Sequence, residues 1–291
     1  MWEHADKLLE FIKRTSRGHE FERDYKVERH QIQRGFQRWL SEEPACYPIE
    51  QKDVLSESVH SWDGYFTVDV TFDRGLSAEE RENKRISTEN LIGLFDGWRQ
   101  SQDTFDQDVK GELDGAKHIY MDSYLQYLTR LRQGHLEVLN DSPMVSMMIE
   151  GMRHCLPREM PFDDQWMLYS KFFDSEHFAR LPFQYIRSRC YAILKALVKA
   201  GAYQNKERSL RKLSGFYSDV DHIAHYAPYC DAIAMDNPMA ELVKHPGLAL
   251  ETNFQVKVFS LNNLEELVGW LDDLEASMNS GHLAGLKAAY R

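Results

Sequence analysis

The residues that say most about the fold span Ser218–Asn237 and read Ser-Asp-Val-Asp-His-Ile-Ala-His-Tyr-Ala-Pro-Tyr-Cys-Asp-Ala-Ile-Ala-Met-Asp-Asn. Ser218 or Asp219 is expected to be a helix N-cap, because both residue types accept hydrogen bonds from exposed backbone amides. The helix that follows is short, since Pro228 cannot continue it. The apolar run Asp231–Asp236 then predicts a short buried strand.

Two aspartates of this stretch are expected to meet at one edge of a parallel sheet. Asp236 lies at the carboxyl end of the predicted strand, and a predicted helix, Met239–His245, follows it. In open α/β sheets, ligands bind in the crevice at the carboxyl ends of the strands. We therefore expect Asp219 to approach Asp236 there, with Asp231 entering from the other end of the strand.

These three acids form a candidate catalytic metal site. Converging carboxylates repel one another and raise each other's pKa. A hard divalent cation, Mg²⁺ or Mn²⁺, relieves that repulsion because it prefers oxygen ligands. A structural interpretation stays open beside this one, in which Asp219 and Asp236 only cap helices.

The segment Asp219–Asp236 resembles the carboxyl-terminal half of a PIN-like nuclease domain. In that family an Asp opens a helix, a short strand follows, and a second Asp ends the strand. The strand predicted at Val256–Phe259 and the helix predicted at Leu264–Ser277 are similar to the family's last strand and last helix. The resemblance covers roughly residues 181–277, about a third of the chain. It implies a metal-dependent phosphodiesterase that acts on RNA or DNA.

The resemblance also implies a metal ligand outside this segment. The family's second acidic ligand is a Glu on an early helix, and Glu57 fits that place, with Glu22 as the alternative. The family's first strand ends in an Asp ligand, and residues 1–63 contain no such pattern. The alternating segment Gly64–Asp73 could supply a replacement acid, but its pattern is more typical of a half-exposed edge strand.

The charge of the chain limits how it could contact nucleic acid. The 291 residues carry a formal net charge of −11, and no run of Lys and Arg offers a phosphate-tracking surface. Basic residues are concentrated in the predicted helix Tyr185–Ala200, where Arg187 and Arg189 are the candidate nucleic-acid contacts. A solvated helix face is an equally good interpretation of these two arginines.

Cysteine usage and hydropathy predict the compartment. The four cysteines are widely spaced and show no ligand pattern, so they predict buried thiols in a reducing cytoplasm. No apolar run approaches the roughly 20 residues of a membrane span. We expect a soluble cytoplasmic protein without a membrane partner.

Two histidines beside the acids suggest a rival zinc site. His222 and His225 are three residues apart and could share a helix face, with Asp221 and Cys230 nearby. No CxxC or HExxH pattern accompanies them. The chain also lacks a Gly-rich phosphate loop and a G-x-S-x-G sequence, which sets aside kinase and serine-hydrolase functions.

Amphipathic helical patterns dominate residues 77–139, where an aromatic stripe at helical spacing that includes Tyr120 predicts core positions. The methionines that follow on one helix, Met144, Met147, Met148 and Met152, are expected to fill gaps in packing. We expect a helix-rich α/β protein, a single PIN-like domain over residues 1–291 with a small central parallel sheet and a helical insertion at about 74–180. The expected function is that of a Mg²⁺- or Mn²⁺-dependent endoribonuclease. The alternative is a non-catalytic interaction protein with an incomplete acidic site, which would bind a protein partner or a second copy of itself.

Overall fold

A computed structural model of the chain describes Arg14 and residues 21–50, 53–54, 76–139 and 144–289. Within these ranges the protein consists of α-helices and one small parallel sheet. In chain order the elements are α1 (Asp24–Leu40), α2 (Leu76–Gly93), α3 (Phe95–Gln100), α4 (Phe105–Arg132), α5 (Met144–Arg153), α6 (Phe162–Phe173), α7 (Glu176–Ala179), α8 (Pro182–Lys199), α9 (Lys206–Lys212), α10 (Phe216–Tyr226), β1 (Ala232–Ala234), α11 (Asn237–Lys244), α12 (Leu250–Phe254), β2 (Lys257–Phe259), α13 (Leu264–Ser277) and α14 (Ser280–Ala289).

The helix α4 shows how local sequence sets these boundaries. The Thr104 hydroxyl accepts a hydrogen bond from the Gln107 amide, and the Gln107 side chain accepts one from the Thr104 amide. This capping box satisfies two of the amides that the first turn of a helix leaves without a partner. Arg130 and Arg132 lie in the last turn, where positive charge is favourable.

The hydrophobic core lies between α1, α4, α5, α6 and α8. Its centre is aromatic: the rings of Phe36 and Phe172 are 5.3 Å apart, and those of Phe173 and Phe178 are 4.9 Å apart. Met148 of α5 is buried in the same cluster, as the methionine pattern predicts. The buried cluster continues through α8 and α10 to β2, so the helices and the sheet share one core.

The sheet has two parallel strands in the described ranges, with Ile233 of β1 opposite Val258 of β2. The helices α11 and α12 connect the strands, which makes a βαβ unit. A helix-rich α/β protein with a small parallel sheet is thus confirmed. The short strand predicted within Asp231–Asp236 is present as Ala232–Ala234, but the prediction that it is buried is wrong, because its residues are partly exposed.

The predicted start of α10 is also wrong. The helix begins at Phe216, and its N-cap is Gly215 with φ of 98°, rather than Ser218 or Asp219. A left-handed backbone is easy for glycine and strained for other residues, so Gly215 sets the turn. The predicted helix Leu264–Ser277 is confirmed as α13.

Two further predictions concern the segment Gly64–Asp73 and the presence of membrane-spanning helices. The alternating segment Gly64–Asp73 lies outside the described residues. None of the helices in the described ranges combines the length and the apolar character that crossing a lipid bilayer requires.

Candidate functional site

Asp219 and Asp236 lie on the two elements that flank β1, and their carboxylates interact electrostatically. Asp219 is half-buried in the first turn of α10, and Asp236 is exposed just after the strand. Burial raises the pKa of Asp219, and the negative charge of Asp236 raises it further. The second cause means that the two carboxyl groups lie within electrostatic range of each other, although a helix, a turn and a strand separate them in the chain.

A backbone hydrogen bond orients Asp236, and the turn at Gly215 lies beside Asp219. Asp236 is the N-cap of α11, and its Oδ1 accepts a hydrogen bond of 2.9 Å from the Met239 amide. A Cβ atom placed on Gly215 would lie 3.6 Å from Asp219 Oδ2, so the turn before α10 packs directly against that carboxylate. The acidic pair, by which we mean Asp219 and Asp236, is therefore held by one helix cap and one glycine turn.

The surroundings of the acidic pair suit an open magnesium site better than a closed one. His222 and Lys84 oppose the rise in the pKa of Asp219, so some positive charge is nearby. Among the described residues, no group of three or more His, Cys, Asp or Glu side chains could hold a metal ion. Mg²⁺ commonly binds through one or two carboxylates and completes its shell with water and substrate phosphates. Two carboxylates fit that mode of binding.

Asp231 lies at the opposite end of β1 from the acidic pair. It is exposed, and its carbonyl accepts a hydrogen bond of 2.9 Å from the Lys257 amide. The extended chain between Asp231 and Asp236 spans roughly 16 Å, which is too far for both carboxylates to bind one ion. Asp231 instead lines a groove of about 480 Å³ beside Tyr229 and Trp270.

Glu57 and Glu22 are the two glutamates predicted as a further metal ligand. Glu57 lies outside the described residues. Glu22 is buried before α1, where its carboxylate forms a salt bridge of 2.8 Å with Lys26. This pairing gives Glu22 a partner within its own segment.

Arg187 and Arg189 have different neighbours on α8. The Arg187 guanidinium lies 3.7 Å from Asp221 Oδ1 and lines an interior cleft. The Arg189 guanidinium stacks on the ring of Tyr185, 3.6 Å from its centre. Residues two positions apart point to opposite sides of a helix. The two arginines therefore do not form one joint phosphate-binding surface.

A buried charged cluster that the sequence patterns did not indicate lies between α1, α4 and α10. His225, 3% exposed, contacts the Asp221 carbonyl through Nδ1 at 2.6 Å and Glu28 Oε2 through Nε2 at 3.3 Å. The Tyr120 hydroxyl donates a hydrogen bond to the other oxygen of Glu28. The Asp221 carbonyl can only accept a hydrogen bond, so Nδ1 carries a proton, and an ionised Glu28 beside Nε2 favours the positively charged imidazole.

The pKa values of this cluster agree with a charged pair. Burial alone would raise the pKa of Glu28, but the hydrogen bond and positive charge of His225 outweigh it, and the net pKa is lowered. Burial would lower the pKa of His225, but the Glu28 contact and the Asp221 carbonyl reverse this, and the net pKa is raised. Each group therefore stabilises the charged form of the other.

The contacts of His225 and the burial of Cys230 disfavour the predicted zinc site. Because both nitrogens of His225 contact protein oxygens, neither is free to bind a metal. His222 is exposed and stacks on Tyr226. Burial raises the pKa of the Cys230 thiol, with a smaller contribution from Asp231, which disfavours the thiolate that zinc requires.

An interior cleft of about 360 Å³ opens beside the charged cluster. Trp98, Leu94 and Ile119 form apolar walls, and polar side chains of α8 form one side. These polar residues are Gln184, Arg187, Ser188 and Tyr191. They follow helical spacing, so the sequence contains a polar stripe on one face of α8 that could have indicated the cleft.

The site thus consists of the acidic pair at the end of β1 and, separately, a cleft between the helices. The helix α10 contributes to both, since it carries Asp219 in its first turn and lines the cleft with Tyr217. Comparisons of the chain with protein family models, with curated proteins and with solved structures found no match.

Proposed function

We propose that this chain is a Mg²⁺- or Mn²⁺-dependent phosphodiesterase of the PIN-like type that cleaves RNA. The observation that carries the proposal is the acidic pair at the carboxyl end of a strand in a parallel βαβ unit. This is the position where α/β sheets bind ligands. Two like charges held close together by backbone contacts are costly unless a cation joins them.

Asp219 and Asp236 are the residues that would hold the ion. When bound, Mg²⁺ or Mn²⁺ supplies an activated water and stabilises charge on phosphate oxygens. The chain's own contribution is orientation, because the Met239 amide fixes Asp236 and the glycine turn fixes Asp219. Lys84 lies on the exposed side of α2 near Asp219, where it would attract a phosphate.

The acidic character of the chain favours a substrate that is held locally. With a net charge of −11, long-range attraction of nucleic acid is weak. Binding would then depend on the ion itself and on a few basic side chains, which suits a short single-stranded region of RNA. A role for Arg187 or Arg189 in that contact stays a prediction.

The decisive experiment combines Mn²⁺ binding with cleavage. We expect the purified chain to bind Mn²⁺ in a calorimetric titration and to cut a fluorescently labelled single-stranded RNA. Asp236→Asn should abolish both, and because Asn caps helices about as well as Asp, the fold should persist. Asp272→Asn on the exposed side of α13 is the matched control and should change neither. Binding and cleavage that survive Asp236→Asn would overturn the proposal.

A non-catalytic interaction protein is the second candidate, and one observation favours it. The helix α13 exposes a stripe of apolar side chains at helical spacing, which are Leu264, Val268, Leu271 and Leu274. Exposed apolar stripes of this kind often mark protein interaction sites. This candidate predicts no Mn²⁺ binding, together with a self-associated state in light scattering that Leu271→Glu disrupts.

A further inference from the structure

The cleft between α1, α2, α4 and α8 has the size and lining of a site for a small molecule. Its volume of about 360 Å³ is at the lower end of the range for ligand pockets. The rings of Trp98, Tyr25 and Tyr217 provide flat apolar surface, and Leu91, Leu94 and Ile119 complete the walls. A ligand of one or two rings would fill this volume.

Two polar side chains in the cleft have no hydrogen-bond partner among the described residues. Gln184 is 2% exposed, and its Oε1 is buried without a partner. Tyr191 is 7% exposed, and its hydroxyl is also buried without a partner. Buried polar atoms almost always have partners in folded proteins. Both residues line the cleft, so a molecule bound there would satisfy them.

The charged groups at the cleft already have partners within the chain. Glu28 contacts His225 and Tyr120, and Glu112 forms a salt bridge of 2.5 Å with Lys195. Arg187 lies beside Asp221. The buried side-chain atoms that line the cleft without a hydrogen-bond partner among the described residues belong to neutral groups, an amide and a phenol hydroxyl. A charged ligand would have to compete with these internal pairs and would lose solvation on entry.

We propose that the cleft binds a neutral, planar nitrogen heterocycle of the nucleobase class, as the free base or the nucleoside. The orphaned oxygen of Gln184 requires an N–H donor, and the Tyr191 hydroxyl can donate to a ring nitrogen or a carbonyl. A glutamine amide pairs well with adenine, which offers an amino group next to a ring nitrogen. The aromatic walls stack on the flat faces of such a ring.

This proposal does not depend on the nuclease proposal. It uses residues of α1, α3, α4 and α8, together with Tyr217, and none of them belongs to the acidic pair. A chain that neither binds Mn²⁺ nor cleaves RNA could still bind a nucleoside in the cleft. Failure of one proposal is therefore distinguishable from failure of the other.

In the test, the full chain is titrated with adenine, adenosine and AMP, and binding is measured by calorimetry or ligand-observed NMR. We expect saturable one-to-one binding of adenine and adenosine, and weaker binding of AMP. Tyr191→Phe should weaken adenosine binding roughly tenfold, as expected for one net hydrogen bond. Gln184→Met, which keeps the side-chain volume, should weaken it by more than tenfold.

The two variants separate binding from folding. Removing the orphaned hydroxyl in Tyr191→Phe should raise the melting temperature of the unliganded protein, so weaker binding cannot be caused by unfolding. Tyr127→Phe on α4, outside the cleft, is the matched control and should leave adenosine affinity unchanged. No saturable binding of adenine or adenosine would overturn the proposal, as would affinity that neither variant changes. Tighter binding of AMP than of adenosine would instead identify an anion site at Arg187 and overturn the neutral ligand class.

Discussion

The charged cluster around Glu28 and the acidic pair at the end of β1 differ in the burial and in the sign of their charges. Glu28 and His225 are buried, opposite in sign and hydrogen-bonded, so each favours the charged form of the other. Asp219 and Asp236 are more exposed and equal in sign, and their proximity raises the pKa of Asp219. The charges of the first region are compensated within the chain, whereas those of the second are not, which is the basis of the metal-ion proposal.

The largest loss in the free energy of unfolding is expected for a substitution of Glu28. Glu28→Gln keeps the shape of the side chain but leaves the buried His225 without its counter-charge. We expect a loss of about 3 kcal/mol in the free energy of unfolding, measured by urea denaturation. Glu176→Gln, which breaks the exposed pair with Arg180, is the control and should have little effect. Equal effects of the two substitutions would show that the buried pair is not structural.

A somewhat smaller loss is expected at Gln31, which joins the helical region to the segment before β1. Its fully buried side chain donates a hydrogen bond to the Tyr229 hydroxyl at 2.9 Å and accepts one from the Phe183 amide at 3.1 Å. Gln31→Leu leaves both groups unpaired and should cost about 2 kcal/mol in the free energy of unfolding. Gln126→Leu on the exposed face of α4 is the matched substitution and should cost far less.

The buried pair also predicts a pH dependence of stability. The pKa of His225 is raised above its ordinary value of 6.5, so its stabilising contribution is full below pH 6.5 and is lost as the pH rises through the raised value. The pKa of Glu28 is lowered below 4.5, so its contribution is full above pH 4.5 and is lost in stronger acid. Urea denaturation between pH 5.5 and pH 9 should therefore show stability falling with rising pH.

A matched pair of variants assigns that pH dependence. His225→Gln should remove most of the fall in stability, whereas His222→Gln, at an exposed position on the same helix, should keep it. A fall that persists unchanged in His225→Gln would contradict the assignment of a positive charge to His225.

The smallest effect is expected at the acidic pair, and it has the opposite sign. Asp219→Asn removes the repulsion by Asp236 and should raise the free energy of unfolding by about 0.5 kcal/mol at pH 7, since half-exposed charges are screened by solvent. Mn²⁺ should raise the melting temperature of the unmodified chain and have no effect on this variant. A destabilised Asp219→Asn protein would show instead that the Asp219 carboxylate stabilises the fold, which would contradict the repulsion inferred for the acidic pair.

Local features of the fold were predictable, and distant contacts were not. The bounds of α13 and the core positions of Met148 and Tyr120 follow from periodicity within one segment. The pair of Glu28 and His225 joins residues that are 197 positions apart, so no local pattern contains it. The strand Ala232–Ala234 is apolar enough for full burial, but the exposure of a strand is set by what packs on it.

The acidic pair was predicted from a helix followed by a strand in the sequence. Its geometry depends on Gly215, a residue that this prediction did not consider. An apolar run followed by an Asp indicates the end of a strand, and this placed Asp236 correctly. The approach of Asp219 requires α10 to begin earlier than an N-cap search suggests, because the left-handed turn at Gly215 replaces a side-chain cap. Glycine before a helix was the available signal.

The arrangement of the acidic pair depends on Gly215, a residue that has no side chain able to bind or react. With φ of 98°, any side chain at residue 215 would strain the backbone, and relief of that strain would rotate the first turn of α10. The carboxylate of Asp219 would then move relative to Asp236 even though both acids were retained. In descendants of this sequence, replacement of Gly215 would therefore disturb the acidic pair even where both aspartates are kept.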